Sequence, residues 1–215
     1  MIRYLFLTVL LCFSTFMLAQ KNESYWGFKI GLNNSDVQSR VNPEFDLGSK
    51  TGFFVEAFRN FSLDNNYSFQ AGYGISQKGG RQWPEQLNEL NEIELYTANF
   101  TYVILPLSIQ RKIGPFYAEL GLEPSFRIIN NAIIEDPSYT EEAVEDFWDS
   151  RFDFGIIAGI GYHIENIELS FRLVPGLLNI SNDVIITNDI GANIARGPSG
   201  RNRIFQVGLA YRVYN

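Results

Sequence analysis

Cysteine, histidine and long apolar runs are scarce in this chain of 215 residues, and each scarcity excludes a class of protein. Cys12 is the one cysteine and lies in an apolar N-terminal stretch, so the remainder can form neither disulfides nor thiolate metal sites. No later stretch is long and apolar enough for a membrane helix. Any membrane-spanning structure must therefore be a closed barrel, because lipid leaves no partner for unpaired backbone groups.

The first 19 residues have the pattern of a secretory signal peptide. Arg3 precedes an apolar run that begins at Leu5, and Ala19 offers a cleavage position. The run is short for a membrane anchor, and Leu11 before Cys12 is too large for a lipoprotein cleavage site. We therefore expect a signal peptide at 1–19 and one domain at 20–215, exported to a Gram-negative outer membrane.

Basic residues are also in the minority. The chain has 17 Lys and Arg against 24 Asp and Glu, and loss of Arg3 with the signal leaves 16 basic residues and a net charge of −8. Such an acidic chain argues against nucleic acid as a partner, because a phosphate backbone demands basic patches. Aromatic residues make up 15% of the chain, as expected of a barrel with aromatic girdles.

Apolar and polar residues alternate along eight segments, the pattern of transmembrane β-strands. Pro106 cannot donate to a strand ladder, so we expect a bulge or bend there. The sequence thus predicts an all-β fold, an eight-stranded antiparallel up-and-down transmembrane β-barrel. The predicted strands are Trp26–Asn33, Thr51–Phe61, Tyr67–Ser76, Leu95–Arg111, Phe116–Phe126, Arg151–His163, Ile167–Val174 and Arg203–Tyr214.

The connections between these strands alternate between short and long. Outer-membrane barrels have short periplasmic turns and long external loops, so both termini are expected in the periplasm. The predicted short turns are Ser62–Asn66, Lys112–Pro115 and His163–Asn166, and the predicted long loops are Asn34–Lys50, Gln77–Glu92, Arg127–Ser150 and Asn179–Asn202.

A water-soluble barrel of the lipocalin type is the alternative fold, and it would place its apolar face inside. Here the polar face of the strands carries charges and repeated glycines, which make a poor pocket for an apolar ligand. Charges in a narrow lumen must be paired, because burying them alone is costly. We therefore predict a salt-bridge network that closes the lumen, formed by Lys29, Glu56, Glu119, Glu123, Arg151, Asp153, Glu168, Arg172 and Arg212.

Few residues suggest enzymatic chemistry. Glu119 and Glu123 could serve as the carboxylate pair of a glycosidase, but ion pairing inside the lumen is the favoured interpretation. His163, the single histidine, is interpreted as a solvated turn residue. The acidic run Glu135–Asp149 lacks the spacing of a calcium loop. The sequence predicts no catalytic residue, no metal site and no cofactor, while Trp83 and Trp148 are expected at the membrane interface or against a partner.

Four runs of residues carry a family resemblance: Gly27–Asn33, Gly72–Gly79, Tyr102–Leu107 and Phe152–Tyr162. Together they resemble the PorT-like outer-membrane β-barrel family. The match departs from the family pattern by inserting Gly74 and Ile75 into the second run. The resemblance implies the same barrel, and the family includes at least one component linked to protein secretion. The last run matches through its Phe-Asp-Phe-Gly and Gly-Ile-Gly-Tyr portions.

The last predicted strand resembles the signal read by the barrel-assembly machinery. That signal consists of a polar residue, a glycine, an aromatic residue and a final hydrophobic residue, matched here by Gln206, Gly208, Tyr211 and Val213. The expected partners are outer-membrane lipid, the barrel-assembly machinery during biogenesis, and an envelope protein bound through external loops or periplasmic turns.

Two functions follow from a barrel of this size. The first is a non-enzymatic structural or docking component of the envelope, because eight strands leave an interior just wide enough for side chains. The alternative is a narrow porin-like channel for small solutes or ions. Conductance separates the two.

Overall fold

The computed structural model describes residues 24–39, 47–82, 96–134, 150–180, 184–187, 193–197 and 200–214. The predicted signal peptide, Trp83, Trp148 and the run Glu135–Asp149 lie outside the described residues. The strands are β1 Tyr25–Ser39, β2 Leu47–Ser62, β3 Tyr67–Gln82, β4 Tyr96–Ile104, β5 Leu107–Ile113, β6 Phe116–Ile134, β7 Phe152–Ile164, β8 Ile167–Pro175, β9 Val184–Thr187, β10 Asn193–Gly197 and β11 Gly200–Tyr214.

Nine of these strands form one closed antiparallel sheet. Each strand pairs with its neighbours along the chain, and β11 closes the ring by pairing with β1 over its full length. β4 and β5 occupy one position in the wall between β3 and β6, so the ring is eight strands wide. The prediction of an eight-stranded up-and-down barrel is confirmed. β9 and β10 form a separate two-stranded hairpin.

The break between β4 and β5 falls at Pro106, where a bulge or bend was predicted. The ladder does not open there, because the neighbouring strands reach the backbone on either side. The Leu105 amide donates to the Pro124 carbonyl at 2.9 Å, and the Gly72 amide donates to the Pro106 carbonyl at 2.8 Å. Because proline has no amide donor, the wall lacks one hydrogen bond at Pro106, but the strands do not separate there.

The pairing register fixes the tilt of the strands. Followed strand by strand around the ring from Tyr25, the register returns to β1 at Ser35, ten residues further along. A stagger of this kind requires the strands to lean by roughly 35–45° from the barrel axis. Side chains that face each other across the lumen are consequently far apart in sequence.

Alternation along each strand separates two environments. The outward side chains are large, apolar and exposed, as with Phe28 at 63% and Leu120 at 66% relative exposure. The inward side chains are polar or aromatic and almost fully buried, including Lys29 and Glu123 at 0%. This is inverted relative to a soluble barrel and suits a wall that meets lipid outside. Among the described residues no helix is long and apolar enough to cross a membrane.

The two ends of the barrel differ, and we call them the turn end and the loop end. The turn end carries the start of β1 and the end of β11, together with the three short connections 63–66, 114–115 and 165–166. Gly114 takes a positive φ of 62° in a two-residue turn, and Asp64 Oδ1 accepts the amides of Asn66 and Tyr67 at 2.7 Å each. Such turn chemistry fixes the hairpin register.

At the loop end the predicted strand boundaries were wrong. β1, β3 and β6 continue for six to eight residues past the predicted ends Asn33, Ser76 and Phe126. Outward side chains there are polar on β1 and β3, as with Asn34 and Gln77, whereas β6 keeps the exposed apolar residues Ile128 and Ile129. The apolar-polar alternation disappears where the wall no longer faces lipid, although the strand ladder itself continues.

Candidate functional site

Arg172 on β8 is the centre of the lumen. Its Nε and Nη2 each donate to the Glu119 carboxylate on β6 at 2.9 Å, and its Nη1 donates to Glu56 Oε2 on β2 at 2.8 Å. Ser108 Oγ adds a bond of 2.6 Å to Glu119 Oε1. All four side chains are buried. The rigid guanidinium fork thus joins three strands across the barrel, with charge-assisted bonds that are stronger than neutral ones.

Glu168 on β8 is the centre of a second cluster, nearer the turn end. Lys29 Nζ lies 3.1 Å from Glu168 Oε1, and the Tyr117 hydroxyl donates to the same oxygen at 2.6 Å. His163 Nε2 lies 3.4 Å from Glu168 Oε2, and its ring packs against Tyr117 with centroids 5.0 Å apart. His163 is only 13% exposed, so its interpretation as a solvated turn residue was wrong.

Lys78 on β3 organises a third cluster, nearer the loop end. Its Nζ lies 3.0 Å from Glu123 Oε1, 3.0 Å from Ser125 Oγ and 3.6 Å from Asp153 Oδ2. Asn202 donates its amide to Asp153 Oδ2 at 2.8 Å. β3, β6, β7 and β11 are thereby tied together.

Two of the nine predicted network residues behave differently from the prediction. Arg151 is exposed and precedes β7, so it is not part of the lumen. Arg212 is buried but pairs with no carboxylate among the described residues. Its guanidinium lies over the rings of Tyr25 and Tyr214, at 5.5 and 5.6 Å from their centroids, and donates to the Glu165 carbonyl. Arg212 therefore closes the turn end by cation–π contacts rather than by a salt bridge.

Sequence reasoning missed several lumen residues. Lys78 was missed because the third strand was predicted to end at Ser76. Extending the same alternation by two residues would have placed Lys78 inside the lumen. An amide cluster was missed as well: Asn60 donates to Gln110 Oε1 at 2.9 Å, and Gln110 donates to Gln70 Oε1 at 3.0 Å. Arg127 is also buried, with its guanidinium 5.1 Å from the Phe100 ring centroid.

The buried charges of the described lumen balance. Five acidic and five basic side chains are buried, so the interior is neutral when His163 is uncharged. Neutrality and pairing together lower the cost of taking charges out of water. The ten side chains are Glu56, Glu119, Glu123, Asp153, Glu168, Lys29, Lys78, Arg127, Arg172 and Arg212.

Apolar side chains fill the lumen at the loop end, where polar side chains become few. A cluster of six buried residues lies there, and we call it the apolar cap. Ile180, which follows β8, is held by a bond from its amide to the Gly200 carbonyl at 2.9 Å. The apolar cap consists of Val37, Ala98, Phe100, Tyr102, Ile104 and Ile180.

Inward glycines make room for aromatic rings. A Cβ on Gly27 would lie 2.2 Å from Phe58 Cζ, and one on Gly161 would lie 2.2 Å from Tyr117 Cζ. The rings therefore lie flat against backbone that has no side chain. Glycines on the polar face are a consequence of large side chains opposite them in a narrow barrel.

The geometry agrees with a comparison of the sequence with known families. Residues 18–182 match the family described as outer membrane protein beta-barrel domain. The chain belongs to this family of outer-membrane β-barrels. No curated protein matches the chain.

Three solved structures are similar to the chain at low sequence identity. The attachment invasion locus protein Ail of Yersinia pestis is 11% identical, with 89% of this chain and 100% of Ail covered and a TM-score of 0.45. Neisserial surface protein A is 15% identical, with 87% and 97% covered and a TM-score of 0.44. A mutant of the monoaromatic hydrocarbon channel TodX is 12% identical, with 88% and 58% covered and a TM-score of 0.31.

The predicted assembly signal of this outer-membrane barrel lies on β11. Gln206 and Gly208 face the lumen, whereas Tyr211 and Val213 face outward at 57% and 41% exposure. Neither side-chain polar atom of Gln206 has a hydrogen-bond partner in the described part of the chain. Its polarity thus contributes no hydrogen bond within the described part of the barrel. Within the described ranges, no three His, Cys, Asp or Glu side chains come together as a metal site.

Proposed function

We propose that this chain is a closed, non-conducting barrel that serves as a structural or docking component of the outer membrane, without enzymatic activity. The observation that carries the proposal is the filled lumen. The charged side chains that face inward are paired or stacked on aromatic rings, and the apolar cap lies above them at the loop end. A structure of this kind presents its loops and turns to partners, while the lumen holds the wall together.

Side chains close the lumen at two heights, one in the middle and one at the loop end. Arg172 spans the middle of the lumen between Glu56 and Glu119, and a permeating ion would have to displace one of these ion pairs. The lumen residues Arg172 and Phe100 are each only 1% exposed, which leaves little room for water beside them. Barrels of eight strands have interiors that side chains fill, unlike the wide aqueous lumen of porins.

The proposed orientation places the turn end in the periplasm. Short turns at one end and longer connections at the other are the arrangement of outer-membrane barrels. β1 begins and β11 ends at the turn end, so both termini are periplasmic in this orientation. The turns 63–66, 114–115 and 165–166 then offer a periplasmic docking surface.

A PorT-type role linked to protein secretion is the more specific form of this proposal. It is supported by the four runs of residues that resemble that family. All four lie wholly or largely in the strands of the wall, where they set inward and outward faces and the break at Pro106. The four runs therefore support the same kind of barrel. If the chain binds a secretion partner, it does so through its loops and turns.

Single-channel recording from the purified barrel in a planar bilayer tests the proposal. We expect silence from protein whose folding is confirmed by heat-dependent gel mobility. Arg172→Ala leaves the apolar cap in place and should also be silent, whereas the double variant Arg172→Ala, Phe100→Ala removes both levels and should show brief cation-selective openings. Discrete openings of the unaltered barrel would overturn the proposal and establish the narrow channel instead.

A further inference from the structure

At the loop end, β3, β4 and β6 stay paired with one another but are loosely joined to the strands beside them. β2 and β3 lose their register after Ser76 and meet again only at the pair Gly48 and Arg81. On the other side, no residue of β6 beyond Arg127 pairs with β7 in the described part of the chain. The three strands thus form a sheet of their own above the barrel, which we call the lid. The lid consists of residues 80–82, 96–100 and 129–134.

Gly79 on β3 lies at the base of the lid. It takes a φ of 130°, a backbone conformation that favours glycine. A Cβ at this position would lie 2.0 Å from the Ala98 carbonyl oxygen, so a larger residue would also collide with β4. In the ladder Gly79 pairs with Asn99 on β4. The backbone therefore departs from regular strand geometry where the lid begins.

A β-bulge lies at the same level between β4 and β6. The register shifts between Thr101 and Tyr102, so that Ile128 is an extra residue on β6. Thr101 is two residues from Asn99, the ladder partner of Gly79. A bulge bends its strand, and residues of unusual backbone conformation are common at hinges. Because β4 lies between β3 and β6, all three strands share one bending line, which we call the hinge.

Side chains of β1 hold the hinge where β2 provides no regular ladder. Ser35 Oγ donates to the Gly79 carbonyl at 2.9 Å, and Asn33 Nδ2 donates to the Gln77 carbonyl at 2.9 Å. Both donors belong to almost fully buried side chains. A ladder would supply repeated backbone bonds here, whereas these are two separate side-chain bonds of modest net strength. The hinge is therefore held closed only weakly.

The inner face of the lid is part of the apolar cap. Ala98 and Phe100 face inward from β4 and belong to one buried cluster with Val37 and Ile180, which lie outside the lid. The outward residue between them, Asn99, is polar, as expected of a strand that has left the lipid. Apolar contacts are non-directional, so the lid can leave this cluster and return without a fixed set of partners.

We propose that the lid swings away from the mouth of the barrel about the hinge through Gly79 and Ile128, and that Ser35 is the latch that keeps it closed. Opening separates the two halves of the apolar cap and lets water reach the polar cluster around Lys78. The closure made by Arg172 in the middle of the lumen is untouched. The open lid therefore uncovers a blind pocket at the loop end, which goes beyond the closed barrel proposed above.

Distances between two spin labels test the movement. Cys12, the chain's one cysteine, lies in the predicted signal peptide, so Asn34→Cys on β1 and Thr97→Cys on the lid can be labelled specifically. Double electron–electron resonance should show a shorter closed distance and a longer open one. Adding Ser35→Ala should raise the ratio of open to closed about fivefold, which is the effect of losing one ordinary hydrogen bond.

Ser170→Ala is the matched control for the latch. It removes a bond from a buried serine Oγ to the Gly208 carbonyl, but in the wall below the lid. This variant should keep the ratio of the unaltered protein. An unchanged ratio in Ser35→Ala, or an equal rise in Ser170→Ala, would overturn the proposal.

The labelling rate of a buried thiol gives a second test. Ala98 is 0% exposed in the closed lid, so the thiol of Ala98→Cys should react with a water-soluble maleimide only when the lid opens. Adding Ser35→Ala should raise this rate about fivefold as well. Ile157→Cys, equally buried on β7 but outside the lid, should stay unlabelled with and without Ser35→Ala. Equal labelling of the two thiols would indicate opening of the whole barrel and would contradict a moving lid.

Discussion

The middle of the lumen and its loop end are closed by different means. The middle is held by ion pairs in which Arg172 joins Glu56 and Glu119, whereas the loop end is filled by the apolar cap around Phe100 and Ile180. Ion pairs demand exact partners and penalise the loss of one member, while apolar packing penalises lost volume. The barrel thus depends on specific ion pairing at its centre and on close apolar packing at its loop end.

The largest expected effect breaks the central pairing. Arg172→Ala leaves two buried carboxylates without a cation, and we expect a loss of about 3–5 kcal/mol in the free energy of unfolding. Urea titration in lipid, followed by gel mobility, measures it. The triple variant Arg172→Met, Glu56→Leu, Glu119→Leu removes the charges together and should recover most of the loss. A triple variant as unstable as Arg172→Ala would show that the pairing does not account for the effect.

A smaller effect is expected from the apolar cap. Phe100→Ala removes a buried ring and the surface on which Arg127 stacks, and we expect a loss of about 3 kcal/mol in the same titration. Phe100→Leu keeps much of the volume and should lose about half as much. Because the central ion pairs remain, Phe100→Ala should stay silent in single-channel recording. Openings in this variant would show that the apolar cap alone closes the lumen.

The smallest effect on stability is expected at Gln206, the cross-strand neighbour of Arg172 on β11. Gln206→Leu breaks no hydrogen bond to the described residues, so the free energy of unfolding should change by less than about 1 kcal/mol. If Gln206 belongs to the assembly signal, the variant should nevertheless accumulate less in cells. Gln110→Leu is the matched amide control and should destabilise, because it breaks bonds with Asn60 and Gln70. Normal accumulation of Gln206→Leu would remove Gln206 from the signal.

The wall was predictable from sequence because each strand has lipid on one side and the lumen on the other, so apolar and polar residues alternate along it. All eight wall positions and the break at Pro106 follow from it. The same reason explains the misplaced ends of β1 and β3: from Asn34 and Gln77 onwards the outward residues are not apolar, and the pattern no longer separates strand from loop. On β6 the alternation is instead broken at Ile128 and Ile129, opposite a register shift in β4. Lys78 was lost in this way, and Arg151 was assigned to the lumen by extending an alternation past the start of β7.

Partners inside the lumen were much less predictable. Alternation shows that Arg172 and Glu56 both face inward, but which side chains meet depends on the register around the whole ring. Arg212 illustrates the limit, since its inward position was evident while its aromatic partners Tyr25 and Tyr214 were not. His163 differs, because its cross-strand partner Glu168 lies only five residues further along, across the turn 165–166; the pair was missed because His163 was interpreted as part of the turn.

The cross-link made by Arg172 has a consequence for the order of events during biogenesis. Arg172 lies 116 residues after Glu56 and 53 after Glu119, on the next-to-last strand of the ring. A partly formed barrel that lacks β8 carries both carboxylates without the guanidinium that pairs with them, which makes transfer of its interior out of water unfavourable. The pairing of Glu56 and Glu119 is therefore completed only when the chain is nearly complete, so we expect barrels that lack β8 to be disfavoured in the bilayer.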